Sequence, residues 1–250
     1  MALNPMEQFE VKPIVPLHIG PWDVSFTNQS LFMCLVVATV ALFLVIAMSK
    51  RRLVPSRAQS MAEMSYEFVA GMIRSTTGDD GLVFFPFVFS IFMFVLLSNF
   101  LGLIPGAFTV TSQIIVTLAL AGLVMLTVVV TGFIVHGIGF LKLFVPKAPW
   151  YLLILLVPIE VISFLTRLVS LSVRLFANML AGHTMLAVFA SFVIALGAAG
   201  GILAYLSFTP MFMIVFIGAL EMLVAFLQAY VFAILTCIYL NEALHLHEHH

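Results

Sequence analysis

An all-α, polytopic membrane fold is what this sequence predicts, and three observations carry the prediction. Of the 250 residues, 63% are hydrophobic and only 8% are charged, at a mean hydropathy of +1.22. A soluble domain of that balance would lack a polar surface. Five apolar segments, at 30–49, 83–104, 112–135, 150–196 and 208–240, each reach the ~20 residues that a helix needs to cross hydrocarbon. Finally, Arg174 stands inside the stretch Trp150–Ala198, whose other formal charges are Glu160 and Arg167. An arginine keeps its proton at any accessible pH. Holding it inside or beside hydrocarbon costs at least ~2.5 kcal/mol. Such a residue either snorkels to the headgroups or is kept for its charge.

The N-terminal segment, 1–29, is polar and proline-bearing. It lacks the charged-then-apolar order of a cleavable leader. After the first span comes Pro55–Arg74, where Met61, Met64, Phe68 and Met72 recur at helical spacing with Glu63 and Glu67 off the stripe. This predicts an amphipathic helix over 55–76. It either lies in the membrane interface or packs as a connector on the other spans. Gly102 and Pro105 end the second span, and Thr109, Thr111 and Ser112 cap the third. Gly137, Gly139, Pro146 and Pro149 fill the next connection, and Gly197, Gly200 and Gly201 loosen the one before the fifth span. Residues 241–250 read as a polar tail. His245, His247, His249 and His250 resemble a metal tract there, but fit a solvated tail better.

Lys50, Arg51, Arg52 and Arg57 follow the first span, and Lys142 and Lys147 follow the third. If the second and third spans form a hairpin, both loops share one side, which the positive-inside rule makes cytoplasmic. The N-terminus is then outside and the C-terminus inside. Net charge is −1, so there is no basic footprint for nucleic acid. Cys34 and Cys237 both lie in spans and read as packing residues rather than a disulfide. No cofactor or metal is expected.

The fourth segment is too long for an upright span. As one helix, Trp150–Leu196 would extend ~70 Å against a hydrocarbon core of ~30 Å. A turn near Arg167 would make two spans, but Ile159–Ala177 holds no Gly, Pro or Asn to form it. One helix tilted more than ~45° from the normal is expected instead, with Pro158 as a site for a kink. The fifth segment repeats the excess in milder form.

With Arg174 at zero and ~100° per residue, Glu160, Ser163, Arg167, Ser170, Asn178 and Ala181 all fall within about 40° of it. Small residues on that stripe let another backbone approach closely, so it should face a protein or a water-filled crevice rather than lipid. His183 falls on the opposite face, ~13 Å further along the axis. On the fifth segment, Glu221 and Gln228 share a face. On antiparallel helices His183 and Glu221 can sit at one depth, on the outer half. A histidine and a carboxylate in low dielectric can exchange protons, whereas Arg174 cannot. Each of these polar groups could also be a satisfied contact inside a bundle. Glu160 with Arg167 could form a structural link, Gln228 could be a packing amide, and His136 ends a span at the interface.

The run Ser170-Leu-Ser-Val-Arg174-Leu-Phe-Ala-Asn178-Met-Leu-Ala-Gly182-His183 resembles the signature of subunit a of rotary F-type ATP synthases. Leu227-Gln228-Ala-Tyr-Val-Phe232 and Ile238-Tyr-Leu240 resemble that family's last helix. The likeness covers residues 26–244. It implies a non-catalytic stator subunit of the Fo proton channel, with two half-channels set against a rotating ring of c subunits that each carry a carboxylate. The family's essential arginine falls on Arg174, which attracts the ionised ring carboxylate and blocks direct proton leakage. The polar pair of the outer half-channel falls on His183 and Glu221, in the order typical of mitochondrial and alphaproteobacterial members. Asn178 and Gln228 match polar positions near the arginine. Glu160 and Arg167 match the cytoplasmic part of the long helix, and Ser170 is expected with them among the proton-translocation residues. The resemblance further implies peripheral-stalk b subunits and a soluble F1 head as partners. It implies the bacterial inner membrane, or else the mitochondrial inner membrane, with the N-terminus periplasmic. Protons rather than sodium are the expected ion.

Three rivals remain from the residues alone. A secondary transporter with an Arg-centred site would need repeats and broken helices, and no repeat is visible. A haem or quinone subunit would need paired histidines deep in spans. An intramembrane enzyme would need a Ser/His or paired-Asp arrangement.

Overall fold

In hydrocarbon the backbone must satisfy its own hydrogen bonds, so apolar runs free of strong breakers become helices that extend until polar or glycine-bearing sequence stops them. The computed structural model of the chain describes residues 10–16, 18–19, 22–23, 25–49, 55–104, 107–137, 139–140 and 150–245. Lys50, Arg51, Arg52, Lys142 and Lys147, which set the expected orientation, lie outside the described residues. So do Pro105, Pro146 and Pro149, and the tail histidines His247, His249 and His250.

Seven helices are described: α1 Asn28–Ser49, α2 Arg57–Thr77, α3 Phe85–Gly102, α4 Ile114–His136, α5 Trp150–Ala199, α6 Gly201–Leu206 and α7 Phe208–Leu244. Five helical stretches are long and apolar enough to cross a membrane, and the second of these begins at Asp79. There a short 3₁₀ turn, Asp79–Phe84, leads into α3. Before α1 the chain forms two small antiparallel ladders. β1 Pro13–Val15 pairs with β4 Phe26–Thr27, and β2 His18–Ile19 with β3 Trp22–Asp23. The hydrophobic pattern gave no sign of these strands, which are only two or three residues long.

The fourth segment is one helix of 50 residues, with Pro158 inside it. No turn forms near Arg167. The helix ends where Gly200 and Gly201 take φ of 68° and 61°, conformations that side-chain-bearing residues rarely adopt. The short α6 follows in the glycine-bearing connection, where the sequence pattern predicts no helix. α7 runs four residues beyond 240, through Asn241–Leu244, where a tail was expected.

The chain divides into two compact units. One comprises 1–45, 93–113 and 175–229, and the other 46–92, 114–174 and 230–250. In the first, Met93, Val95, Phe108, Val110, Leu175 and Met179 are buried, and Phe32 of α1 lies against Phe108 at 6.2 Å. Otherwise α1 buries little, and its Leu35, Leu42, Val45 and Ile46 are exposed. Cys34 is exposed as well, so the packing role expected for both cysteines holds only for Cys237, which is buried.

In the second unit, Ile73, Val88, Phe92, Val124, Leu171 and Phe232 are buried. α2 starts where Ser56 Oγ accepts from the Gln59 amide and stops at Gly78, φ 75°. Its packed face is Ala62, Val69, Ala70 and Ile73. The Met stripe read from the sequence is not that face. Met61 and Met64 are exposed, while Met72 is buried.

Gly132 of α4 faces the buried ring of Phe140, and a Cβ there would collide with it. Gly132→Ala should therefore destabilise the protein by ~1–3 kcal/mol, the usual penalty for overpacking. Phe140→Leu in the same chain should restore part of the loss. Thermal aggregation of the detergent-solubilised protein reads both. An unchanged midpoint for Gly132→Ala would show that the two do not pack.

Candidate functional site

Around Arg174, α5 buries the side turned away from that residue, whereas nearer its start Leu165, on that far side, is exposed. Within the second unit, Leu171 and Ser172 are buried while Ser170 and Arg174 are exposed. Within the first, Leu175 and Met179 are buried while Ala177, Ala181, Met185 and Val188 are exposed. At helical spacing these exposed residues form one row, which shares Ser170, Arg174 and Ala181 with the stripe read from the sequence, while Glu160, Ser163, Arg167 and Asn178 of that stripe are half-buried. Along the row Phe176, Leu180, Thr184 and Phe189 flank the small Ala177 and Ala181 to line a shallow apolar groove. Arg174 makes no hydrogen bond or ion pair with a described residue, while Asn178 and Glu160 are half-buried.

The opposite side carries the titratable pair, and both members belong to the first unit. Glu221 of α7 is 4% exposed and His183 of α5 is 11% exposed, with Nε2 standing 3.7 Å from Glu221 Oε1. The residue before His183 makes the approach possible. A Cβ on Gly182 would stand 2.6 Å from Glu221 Oε1 and 2.9 Å from its Cδ. Any side chain there would push the carboxylate away. Neither carboxylate oxygen has a hydrogen-bond partner among the described residues, and the buried Gln228 Nε2 has none either. Glu221, Ala225 and Gln228 are buried in succession along one face of α7, as the seven-residue spacing required.

Three residues that the sequence reading did not place in the site join it. Thr109 Oγ1 lies 3.2 Å from His183 Nε2 and donates to the Gly102 carbonyl at 3.5 Å. Thr111 Oγ1 donates to Asn99 Oδ1 at 2.9 Å. Asn99 Nδ2 donates to the Ala225 carbonyl at 3.2 Å. Both threonines were read as helix caps, but the Thr109 side chain makes no cap hydrogen bond. They sit at or in the short 3₁₀ turn Val110–Ser112, all of whose residues are buried. Asn99 had a usable signal, a carboxamide inside an otherwise apolar span.

The second unit holds the fixed charges. Arg167 pairs with Glu242 of α7 through its Nη1, and its guanidinium lies 5.6 Å from the Tyr239 ring centroid. The link imagined between Arg167 and Glu160 is thus corrected. Glu242 sits past the stretch read as membrane, so its carboxylate was assigned to the tail. Four smaller links tie the helices of this unit. Thr117 and Ser172 hydroxyls meet at 3.1 Å. Thr77 donates to the Cys237 carbonyl at 3.3 Å. His136 Nε2 lies 3.1 Å from the Leu244 carbonyl, and Phe68 meets Tyr230 at 5.8 Å between centroids.

Comparison with known proteins is direct. The family model described as ATP synthase A chain matches residues 30–241. The protein named ATP synthase subunit a from Mesorhizobium japonicum is 59% identical over 244 residues, 97% of each chain. Its namesake from Chelativorans sp. is 61% identical over 246 residues, 98% of this chain and 99% of the relative. The one from Agrobacterium fabrum is 59% identical over 246 residues, with the same coverage.

The helix register at Gly182 can be tested by cross-linking. The Gly182 Cβ position is 3.3 Å from Glu221 Cγ, the atom whose place a cysteine sulfur would take, which suits a disulfide. Gly182→Cys with Glu221→Cys, in a chain whose Cys34 and Cys237 are replaced, should oxidise to an intramolecular disulfide under mild conditions. Gly182→Cys with Leu220→Cys should not, because Leu220 is exposed. Thiol alkylation followed by mass measurement distinguishes them. Free thiols in the first pair would refute the register.

Proposed function

The chain belongs to the ATP synthase A chain family, and we propose how its own residues perform the work of that subunit. It is the stator subunit of the Fo proton channel of a rotary ATP synthase, a multi-pass membrane protein that acts within a multi-subunit complex. The match covers residues 30–241, nearly the whole membrane part, and the secondary-transporter reading is set aside.

The observation that carries the residue-level proposal is the division of α5 into two faces. One face presents Arg174, exposed and without a described carboxylate partner, on a row of small residues. The other holds His183 against Glu221, 3.7 Å away. At 3.7 Å the two groups stand just beyond hydrogen-bond reach, so a small side-chain rotation, with both helices in place, lets them pass a proton. In the proposal, His183 and Glu221 take up protons on the periplasmic side and hand them towards a ring of c subunits seated on the exposed row. Arg174 draws each ionised ring carboxylate past the wall. Because it cannot give up its proton, it does not relay protons from one half-channel to the other. Asn178 and Gln228 supply polar surface beside this path. Ser170, Glu160 and the Arg167–Glu242 pair belong to the cytoplasmic half-channel. The subunit does no bond-making chemistry of its own. Peripheral-stalk b subunits and the soluble F1 head complete the assembly, in a bacterial inner membrane with the N-terminus periplasmic.

Length supports the same picture. At 1.5 Å per residue, α5 is ~75 Å long, against ~30 Å of hydrocarbon. Crossing once within the core would need about 65° of tilt, whereas ordinary spans tilt by ~20°. A curved ring surface gives a reason for a helix to lie that way.

Arg174→Ala should abolish ATP synthesis driven by a proton gradient, while ATP hydrolysis by the detached head persists. Arg174→Lys should restore little, since an ammonium lacks the planar fork and can lose its proton when desolvated. Gradient-driven synthesis in membrane vesicles is the measurement, and normal synthesis by Arg174→Ala would sink the assignment. For the pair, His183→Glu with Glu221→His should conduct better than either single change. Contacting residues couple by ~0.5–3 kcal/mol, so strict additivity of the two losses would speak against a shared role.

A further inference from the structure

The pair needs something to hold the imidazole still while its proton comes and goes. We propose that Thr109 is a positioning residue for proton transfer between His183 and Glu221, its hydroxyl holding His183 Nε2 in both protonation states. The inference rests on the proton-path reading above.

The geometry is specific. Nε2 faces two oxygens, Thr109 Oγ1 at 3.2 Å and Glu221 Oε1 at 3.7 Å. The nearer is within hydrogen-bond range and the farther is beyond it. A hydroxyl is both donor and acceptor, and its hydrogen rotates. When Nε2 carries a proton, Thr109 can accept it while donating its own to the Gly102 carbonyl, 3.5 Å away. When a doubly protonated ring has given its Nε2 proton to a Glu221 carboxylate oxygen and kept the one on Nδ1, the Thr109 hydroxyl can turn and donate to the bare Nε2. The proton count balances: one proton moves from nitrogen to carboxylate oxygen, and the threonine keeps its own. The hydroxyl keeps Nε2 about 3.7 Å from the carboxylate in both states, a gap that a small turn of either side chain closes for the transfer. A carbonyl or an amide N–H at this place could serve only one of the two states.

Thr109 is itself held. The turn that follows it is clamped at Thr111, whose hydroxyl donates to Asn99 Oδ1 at 2.9 Å. Asn99 in turn donates to the Ala225 carbonyl at 3.2 Å, one helical turn beyond Glu221. Ser112 Oγ donates to the Thr109 carbonyl at 2.7 Å. The loop is thus referenced to the helix that carries the carboxylate, while its threonine touches the helix that carries the histidine. All of these groups lie in one unit of the fold.

The test uses the assembled synthase in membrane vesicles and reads proton flux per assembled complex. Thr109→Val keeps the shape and removes the hydroxyl, and Thr109→Ser keeps the hydroxyl and removes the methyl. The valine variant should lose flux about three- to tenfold, the factor matching a hydrogen bond of ordinary net strength. The serine variant should stay near the parent. If Thr109→Val does not assemble, Thr109→Ala is read in its place with the same expectation. Full flux in the hydroxyl-free variant, or equal losses for valine and serine, would overturn the inference. Glu221→Gln serves as the separate arm. If it conducts normally, the proposed role of the pair fails. If it is inactive while Thr109→Val is normal, only the role of Thr109 fails.

Discussion

The contact on which the polar cluster depends is the approach of the Glu221 carboxylate to the backbone of α5 at Gly182. Every other residue type would place a Cβ 2.6 Å from Oε1, closer than van der Waals contact allows. With hydrogen there instead, the buried carboxylate lies against the helix and the next residue, His183, reaches it. Low dielectric then gives the pair its meaning. A buried carboxylate without hydrogen bonds is costly as an isolated charge, and an imidazole beside it is a group with which it can trade a proton. The small row Ala225–Ala229–Ala233 of α7, all buried, follows the same logic. Without a hydrophobic drive between helices in lipid, close backbone approach and polar contacts do the holding.

The second unit deals with charge differently. Arg167 is matched by Glu242 and rests near the Tyr239 ring, so its charge is spent within the chain. Arg174, seven residues on and on nearly the same side of the helix, has no such match among the described residues. The two arginines therefore differ in kind. One is tied to α7 through Glu242, and the other is exposed with no carboxylate opposite it among the described residues. Their spacing and residue type are the same, and only the presence of a carboxylate opposite separates them.

Much of this was legible beforehand, and the reasons are physical. Hydrophobic length needs only a count, so the five long apolar helices were foreseeable. Helical period places Arg174, Ser170 and Ala181 on one face from sequence alone, because 3.6 residues per turn is local geometry. The uninterrupted helix through Arg167 followed from the absence of Gly, Pro or Asn over Ile159–Ala177. The chemical types also gave a proper division between a group that cannot titrate and two that can.

The sequence by itself determined which stretches are helical, which face of each is polar and which side chains can carry protons. Only the tertiary structure decided who meets whom. Thr109 and Asn99 are 74 and 126 residues from the groups they touch, His183 and the Ala225 carbonyl. Arg167 and Glu242 are 75 apart. No local period links such positions, and a threonine before a helix reads as a cap until the packing shows its hydroxyl facing a histidine. The methionine stripe of α2 shows the same limit, with Met72 buried and Met61 and Met64 exposed. An apolar face records that water is avoided, and it does not say whether protein or something else covers it.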